Sequence, residues 1–496
     1  MGSKSHDQPH FILVPLMSQG HLIPMVDMSK LLANHGVAVT IVTTPQNAVR
    51  FDRVIAHAVE SGLRIRLLQL RLPCAEAGLP DGCENLDTLP SRKLSGNFFL
   101  AARMLQKPLE HFLEKAQPRP SCIISDRYLA WTSNVAQNLG IPRLVFDGTS
   151  CFNLMCSHNI EASKIYKRVS EFEPFAVPDL PDNISLTKSQ LPETFNPGPL
   201  YMPELHDEID AAEKMSYGLV VNTFEELEED YVKDSRKVIK GGKVWCIGPV
   251  SLCNEDQFDK SHRGNKSSID EDQCLKWLDS WPESSVVYAC LGTLSSLQPQ
   301  QVLELGLGLE ASLRPFVLII REGYKSVELE KLISEDGFLE RTKERGLLIR
   351  GWAPQVLILS HKAIGGFLTH CGWNSVLEGV SAGLPMMTWP MFSEQFFNDK
   401  FVTEVLRIGV SLGVEGRAMK WGEEEKCGVM VKREDIQRAI EQVMDMGEEQ
   451  EEIRKRAREF GEKAKKAMEK GGSSYLNVKL LVEDIVQQQS MQTHSK

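Results

Sequence analysis

The sequence contains no apolar run approaching the ~18 residues that a membrane-spanning helix needs, so no bilayer span is expected. Its first ten residues, MGSKSHDQPH, are polar and lack an apolar signal core. His6 stands where myristoylation would need Ser or Thr, so that lipid is not expected either. Basic residues do not dominate: 56 Lys and Arg face 67 Asp and Glu, a net charge of −11. Nucleic acid is therefore offered no basic stripe and is not expected as a partner. An anionic membrane surface is disfavoured on the same ground. The 11 cysteines are scattered, odd in number and never spaced as CxxC. That pattern points to reduced thiols in the cytoplasm and excludes a disulfide framework. Two glycosylation sequons, Asn183-Ile-Ser185 and Asn265-Lys-Ser267, carry no weight without a secretory signal. There is no G-x-x-x-x-G-K-[ST] phosphate loop and no H-E-x-x-H. Gly306-Leu-Gly308 lacks the third glycine of a dinucleotide fingerprint and falls in a helical stretch, which counts against a Rossmann dehydrogenase. His361 and His370 are too far apart for a local metal pair, and no metal site is expected.

What is present is a long soluble chain of alternating strands and helices. At 496 residues, with 42% hydrophobic and 25% charged residues, two globular domains are the natural expectation. Phe11 to Leu16 reads as a buried strand and Met17 to His21 as a loop. Leu22 to Asn34 has helical spacing, with Pro24 tolerated in its first turn, and Val37 to Thr43 is a second strand. This β-α-β unit predicts a parallel sheet with function at the strand C-termini, where His21 falls. Cys122 to Ser125 is another short strand, ending at Asp126, and Arg143 to Phe146 ends at Asp147-Gly-Thr149. Read alone, His21 is more often a structural histidine, and Asp126 a helix cap. Residues 73–98, rich in Pro, Gly and acids, read as a long loop beside a substrate pocket, and the proline-rich residues 170–205 as irregular structure. The polar stretch 251–272 is the best linker candidate. Beyond it, strand 285–291 closes on Gly292-Thr293, and further strands and helices build a second β/α domain. The expected division is 1–250, a linker at 251–272, 273–455, a C-terminal helix at 456–486 and a disordered tail at 487–496.

One stretch organises the chain: Trp352 to Gln395, WAPQVLILSHKAIGGFLTHCGWNSVLEGVSAGLPMMTWPMFSEQ. Within it, Ala363 to Thr369 is a buried strand, followed by a turn at His370-Cys371-Gly372. Asn374 or Ser375 is the expected N-cap of a helix carrying Val376, Leu377, Val380 and Ala382 on one face, ended by Gly383 and Pro385. Such a strand-turn-helix aims backbone N–H groups and the positive helix end at one spot, which suits a diphosphate. His370 can add a ring N–H. Glu378 can accept from two ribose hydroxyls, and Trp352 offers a face to a pyrimidine. Glu394 and Gln395 offer acceptors and a donor to sugar hydroxyls. His21 and Asp126, at separate strand ends of one sheet, could form a base and its orienting carboxylate. Each residue alone also fits an ordinary β-α unit with core tryptophans and solvated acids.

The whole stretch closely resembles the 44-residue signature of plant family 1 UDP-glycosyltransferases, from W-A-P-Q through H-C-G-W-N-S to the closing E-Q. The resemblance extends over nearly the whole chain. It implies the GT-B fold: α/β, two Rossmann-like β/α/β domains facing across a cleft, acceptor in the first and donor in the second. It implies His21 as catalytic base with Asp126 as its partner, and Gln19, Gly20, Asp147 and Thr149 in the acceptor vicinity. The donor set it implies is Thr293, Trp352, Ala353, Gln355, His370, Trp373, Asn374, Ser375, Glu378, Glu394 and Gln395. The C-terminal helix would pack back on the N-terminal domain. The implied reaction is inverting O-glucosylation, with UDP-glucose as co-substrate and no cofactor, in a monomer. Gln395 goes with glucose donors in this family. Two departures stand out: Cys290-Leu291 precedes Gly292-Thr293 where many relatives have Phe before Gly-Ser, and Asp147 stands where relatives often carry His. The early region looks most like a 73C-like subgroup acting on triterpenoids, steroids, flavonols and cytokinins. A triterpenoid or sapogenin hydroxyl (or carboxyl) is the favoured acceptor. A flavonoid, other phenolic, cytokinin or brassinosteroid is the alternative, and a non-catalytic UDP-sugar binder is the alternative of a different class.

Overall fold

The computed structural model describes residues 8–295, 297–321, 326–414, 418–420 and 427–494. The first seven residues, on which the myristoylation reading rests, lie outside these. Two compact units emerge: 1–151 with 202–255 and 466–496, and 152–201 with 256–465.

The N-terminal unit is built on one parallel sheet. Its strands are β1 (His10–Val14), β2 (Ala38–Thr43), β3 (Ile65–Gln69), β4 (Cys122–Asp126), β5 (Arg143–Asp147), β6 (Gly218–Val221) and β7 (Val244–Cys246), in spatial order β3-β2-β1-β4-β5-β6-β7. β1, β4, β5 and β6 are buried at every residue, as strands covered on both faces must be. Burying side chains the size of Phe11 and Phe146 contributes about 2–3 kcal/mol each. The chain leaves β1 toward β2 on one side and later returns with β4 on the other. The β1/β4 junction is thus the switch point, where a parallel sheet opens a crevice beyond its carboxyl ends.

Helix α1 (Gln19–Asn34) starts three residues before the expected Leu22. Ser18 is its N-cap: φ −147° and ψ 139° place it in extended backbone, and its carbonyl accepts from the N–H groups of His21 and Leu22. His21 therefore sits in the first helical turn and not in a loop. Pro24 falls in the second turn, where it has no N–H for the Gly20 carbonyl.

The C-terminal unit carries a second parallel sheet: β8 (Val286–Cys290), β9 (Phe316–Ile320), β10 (Gly346–Arg350), β11 (Ile364–Thr369), β12 (Met386–Thr388) and β13 (Gly409–Ser411), in order β10-β9-β8-β11-β12-β13. Its switch point lies between β8 and β11. Tyr288, Phe316, Phe367 and Trp389 fill its core. The expected cut at residue 250 does not describe the units, because residues 152–201 cluster with the C-terminal one. The Phe152 ring stacks on Phe401 at 4.9 Å, and the Asn153 amide donates to the Asn398 carbonyl oxygen at 2.9 Å. This segment also holds an antiparallel ribbon of Pro174–Ala176 and Ser185–Thr187. The chain passes between units at 255–256, inside the expected linker. That linker is folded, with a 3-10 turn at Val250–Cys253 and a helix at Gln257–Ser261. Residues 73–94 form the expected long loop, with short 3-10 turns at Leu86–Thr88 and Arg92–Leu94, and the loop is packed down. Leu72, Cys74, Ala77, Leu79, Cys83 and Leu86 are buried, and a helix begins at Ser95.

The expected disordered tail at 487–496 is helical through His494, and 495–496 lie outside the described residues. Helix α4 (Ser473–His494) buries Val478, Leu481 and Ile485, and Lys243 Nζ bonds Asp484 Oδ2 at 2.8 Å. The Asn477 amide donates to Glu225 Oε1 at 3.1 Å. The segment that clusters with the N-terminal unit is therefore 466–496, later than the expected 456–486. Two more helices are named in the next section: α2 (Trp373–Ser381) and α3 (Gln395–Lys400). Among the described residues, no helix is long and apolar enough to cross a membrane.

Candidate active site

In the N-terminal unit, sheet register brings the predicted pair together. β1 and β4 are adjacent and parallel, with Val14 opposite Ser125. Asp126 is the last residue of β4, and His21 begins the helix that follows β1. His21 Nδ1 lies 2.6 Å from Asp126 Oδ2, with the carboxylate 1% exposed and the imidazole 28%. The other carboxylate oxygen, Oδ1, accepts from the Tyr128 N–H at 3.0 Å. Both oxygens are thus engaged and the carboxylate cannot rotate. A proton held on Nδ1 by Asp126 leaves the lone pair on Nε2, the arrangement of a general base.

One aromatic ring lies against His21 and a second lies behind it, and the sequence reading missed both. The Tyr128 ring meets His21 edge-on at 5.9 Å, and Phe99 lies 6.2 Å from Tyr128. Leu205 and Tyr128 pack on buried Ala130, Ile209 and Ala212. Tyr128 was legible only as an aromatic two residues after a strand-end Asp, a weak signal.

Of the residues expected near the acceptor, Gln19 is buried and Gly20 exposed in the first turn of α1. Asp147 and Thr149 bond each other: the Thr149 N–H and hydroxyl reach Asp147 Oδ1 at 3.1 and 2.9 Å. Arg127 pairs with Asp147 at 3.6 Å and with Glu213 at 3.1 Å. Asp147 is therefore held in a local turn and an ion pair.

In the C-terminal unit, Gly292-Thr293 follows β8 and His370 follows β11, the two sides of the second switch point. The His370 imidazole lies between two glycines. A Cβ on Gly292 would fall 2.4 Å from the ring and one on Gly372 2.5 Å from it, and Gly292 has φ +75°. Only glycine fits at either place. Burial, with Arg321 adding to it, pushes the His370 pKa down to about 4. The ring is therefore neutral near pH 7 and carries one N–H. Its Nδ1 is buried without a hydrogen-bond partner among the described residues. A buried polar nitrogen in that state calls for a ligand atom.

The N-cap of α2 is Gly372, not Asn374 or Ser375. Those two occupy the second and third helical positions, in the first turn, where backbone N–H groups point out of the helix end. The turn holds Cys371 at φ +65°, and the helix starts two residues beyond it. The Trp373 side chain is 2% exposed and lies 6.0 Å from Phe401. Its side chain is therefore core, and a place in the donor set would fall to its backbone.

Gln355 donates from Nε2 to Glu378 Oε2 at 2.8 Å and to Ser375 Oγ at 3.2 Å, and Tyr288 OH donates to Gln355 Oε1 at 3.3 Å. Glu378 is 7% exposed, and its Oε1 accepts from Arg263 Nη1. Arg263 lies in the polar linker, where sequence reading sees only solvated charge. Trp352 is half-buried, with backbone hydrogen bonds to Ser268 at 2.8 and 2.9 Å, and the Ala353 carbonyl accepts from the Gln355 N–H. Glu394 is the N-cap of α3. Gln395 differs from expectation. Its Oε1 accepts from the Met391 and Phe392 N–H groups at 2.9 and 3.2 Å, so its acceptor half closes a turn and only its amide N–H can serve a sugar.

Known proteins match this chain at both levels. A family model described as "UDP-glucoronosyl and UDP-glucosyl transferase" matches residues 225–446, and one described as "Glycosyltransferase, N-terminal domain" matches 7–252. UDP-glycosyltransferase 73C3 of Arabidopsis thaliana is 52% identical, over 97% of this chain and 97% of its own. UDP-glycosyltransferase 73C12 of Barbarea vulgaris is 51% identical over 96% of each. The crystal structure of Glycyrrhiza uralensis UGT73P12, complexed with glycyrrhetinic acid 3-O-monoglucuronide, is similar with a TM-score of 0.87 at 38% identity, over 98% of both chains.

Proposed function

The chain belongs to the plant family 1 UDP-glycosyltransferases, in their 73C subgroup and with their GT-B fold, and on that premise we propose that it is an inverting O-glucosyltransferase using UDP-glucose. Its acceptor is a small lipophilic metabolite, with a triterpenoid or sapogenin hydroxyl favoured. The observation that carries this reading is the 2.6 Å contact of His21 Nδ1 with buried Asp126.

The chemistry follows from the residues. His21 Nε2 takes the proton of the acceptor hydroxyl as its oxygen attacks the anomeric carbon. Asp126 stabilises the imidazolium that forms. One displacement breaks the bond to UDP and inverts an α-linked sugar to a β-glycoside. The leaving diphosphate is met by the His370 ring N–H and the backbone donors at the start of α2. These donors need no metal to carry the charge, and UDP-glucose is a co-substrate, not a cofactor. Glu378 accepts from the ribose, Trp352 faces the uracil, and Gln395 donates to the sugar through its amide.

Two features support the lipophilic acceptor: the Tyr128 ring against His21 with Phe99 behind it, and the triterpenoid glucuronide bound in the UGT73P12 crystal structure. The free cysteines support a reducing, cytoplasmic setting. Retention of the base pair disfavours the non-catalytic UDP-sugar binder. Incubation with UDP-glucose and a panel of hydroxylated triterpenoids, flavonols and cytokinins, read by product mass, tests the function. The His21→Ala variant should lose turnover by about 10²-fold or more while still binding UDP. Unchanged turnover would remove His21 from the mechanism.

A further inference from the structure

Glu378 poses an electrostatic difficulty that the reaction does not explain. It is a carboxylate 7% exposed, on the helix whose N-terminus is to hold a diphosphate. From the helix start to Glu378 is about 7–9 Å of axial rise. Over that distance, in a site protected from salt, carboxylate and diphosphate repel each other. Gln355 bonds one oxygen of Glu378 but brings no charge.

Arg263 brings one. Its guanidinium is 9% exposed and pairs with Glu378 Oε1. The segment carrying it is fixed in place. Ser268 makes two hydrogen bonds to the Trp352 backbone, and Ser267 Oγ donates to the Ile269 carbonyl at 2.7 Å. Arginine keeps its charge at any physiological pH and holds a carboxylate in one plane.

We propose that Arg263 is a positioning residue for the donor: it neutralises and orients Glu378, so that one buried carboxylate can serve the ribose beside a bound diphosphate. This rests on the reading of Glu378 as the ribose acceptor. The effect of Arg263 must therefore grow with the charge of the ligand, a property that a merely structural arginine would lack.

Calorimetric titration of the full-length protein with uridine, UMP and UDP tests this. Arg263→Gln should weaken UDP binding about 10- to 30-fold, UMP less, and uridine no more than about twofold. Arg263→Lys should restore most of the UDP affinity. Glu378→Gln should weaken uridine most and UDP least, since it removes a negative charge and leaves the guanidinium unopposed, and adding Arg263→Gln to it should cancel that advantage of UDP. That double variant buries no unpaired charge, which guards against loss of fold. An equal loss for all three ligands on Arg263→Gln, no loss, or tighter UDP binding would each overturn the proposal. Unchanged uridine binding in Glu378→Gln would instead overturn the ribose reading, while the charge ladder from Arg263→Gln still decides the role of Arg263.

Discussion

Replacing Asp126 by asparagine should damage catalysis more than replacing it by alanine, although asparagine is the closer mimic. Asp126 Oδ1 accepts from the Tyr128 N–H at 3.0 Å, and Oδ2 faces His21 Nδ1 at 2.6 Å. In Asp126→Asn the new amide oxygen stays on the Tyr128 N–H, since the amide nitrogen cannot accept there. The amide N–H groups then point at Nδ1, which must become an acceptor. The imidazole proton moves to Nε2, and the lone pair that should take the acceptor proton is lost. The charge is lost as well. A charge-assisted hydrogen bond at a site 1% exposed is worth about 2–3 kcal/mol to the imidazolium, or roughly 30- to 150-fold in rate. The tautomer change adds to this, so Asp126→Asn should fall by about 10³-fold or more in kcat. Asp126→Ala loses the charge but leaves both tautomers open, so its loss should stay near the 30- to 150-fold figure. The proposed donor residues lie on the other unit, so UDP affinity should hold within about twofold in both variants. The assay is initial-rate glucosylation at saturating UDP-glucose, with UDP binding measured separately. Asparagine as active as alanine, or either within threefold of the parent, would refute the assignment of this pair.

The donor unit yields two further expectations. Gly292→Ala places a Cβ 2.4 Å from the His370 ring at φ +75°, so the ring must move. UDP affinity should fall at least about tenfold with a modest loss of Tm, and calorimetric binding at the parent's affinity would contradict the cradle. The second concerns Asp399, whose pKa burial raises to about 6, against ~3.9 unfolded. Its folded-state pKa is the higher, so the native protein binds the extra proton between these values. Stability from this group is present below pH ~4 and lost as pH rises through 6, by about 3 kcal/mol. Asp399→Asn should therefore raise unfolding stability at pH 8 and change it little near pH 4. A variant less stable at pH 8 than the parent would show that the charged carboxylate is favoured where it lies.

The fold was legible where burial dictates pattern. Strands such as Phe11–Val14 and Ile364–Thr369 are apolar runs because both sheet faces are covered, and the residues ending them were the ones to inspect. Pro24 misled the reading of α1: taken as a first-turn marker, it concealed Ser18 as N-cap and left His21 in a loop. Other features depend on contacts that no local pattern encodes. Residues 152–201 join the C-terminal unit through Phe152 with Phe401 and Asn153 with Asn398, pairs more than two hundred positions apart. Arg263 was invisible because an arginine in a polar linker reads as solvated. Gln395 was half-legible: the residue type was right, but one end of its amide is consumed by its own turn.

The two units position their chemistry by different physical means, and this predicts where each tolerates change. In the N-terminal unit His21 and Asp126, the proposed base and its carboxylate, meet through sheet register, Val14 opposite Ser125, with ordinary backbone at both residues. In the C-terminal unit the turns after β8, β11 and β12 each contain a left-handed residue: Gly292 at φ +75°, Cys371 at +65° and Ser393 at +58°. For the two that are not glycine, this conformation costs of order 1 kcal/mol or more, and it persists only where surrounding bonds over-determine it. Those bonds are present. The Asn398 amide donates to the Cys371 carbonyl at 2.8 Å, and Gln395 Oε1 draws in the N–H groups of Met391 and Phe392. Ser393→Gly, at a half-buried position, would relieve the strain and stabilise the fold. It would also free the turn that sets the start of α3, so stability should rise while donor affinity falls. Opposite signs on those two measurements are what a strained, pre-organised donor site requires, whereas a merely tolerated distortion would give a gain in the first and no change in the second.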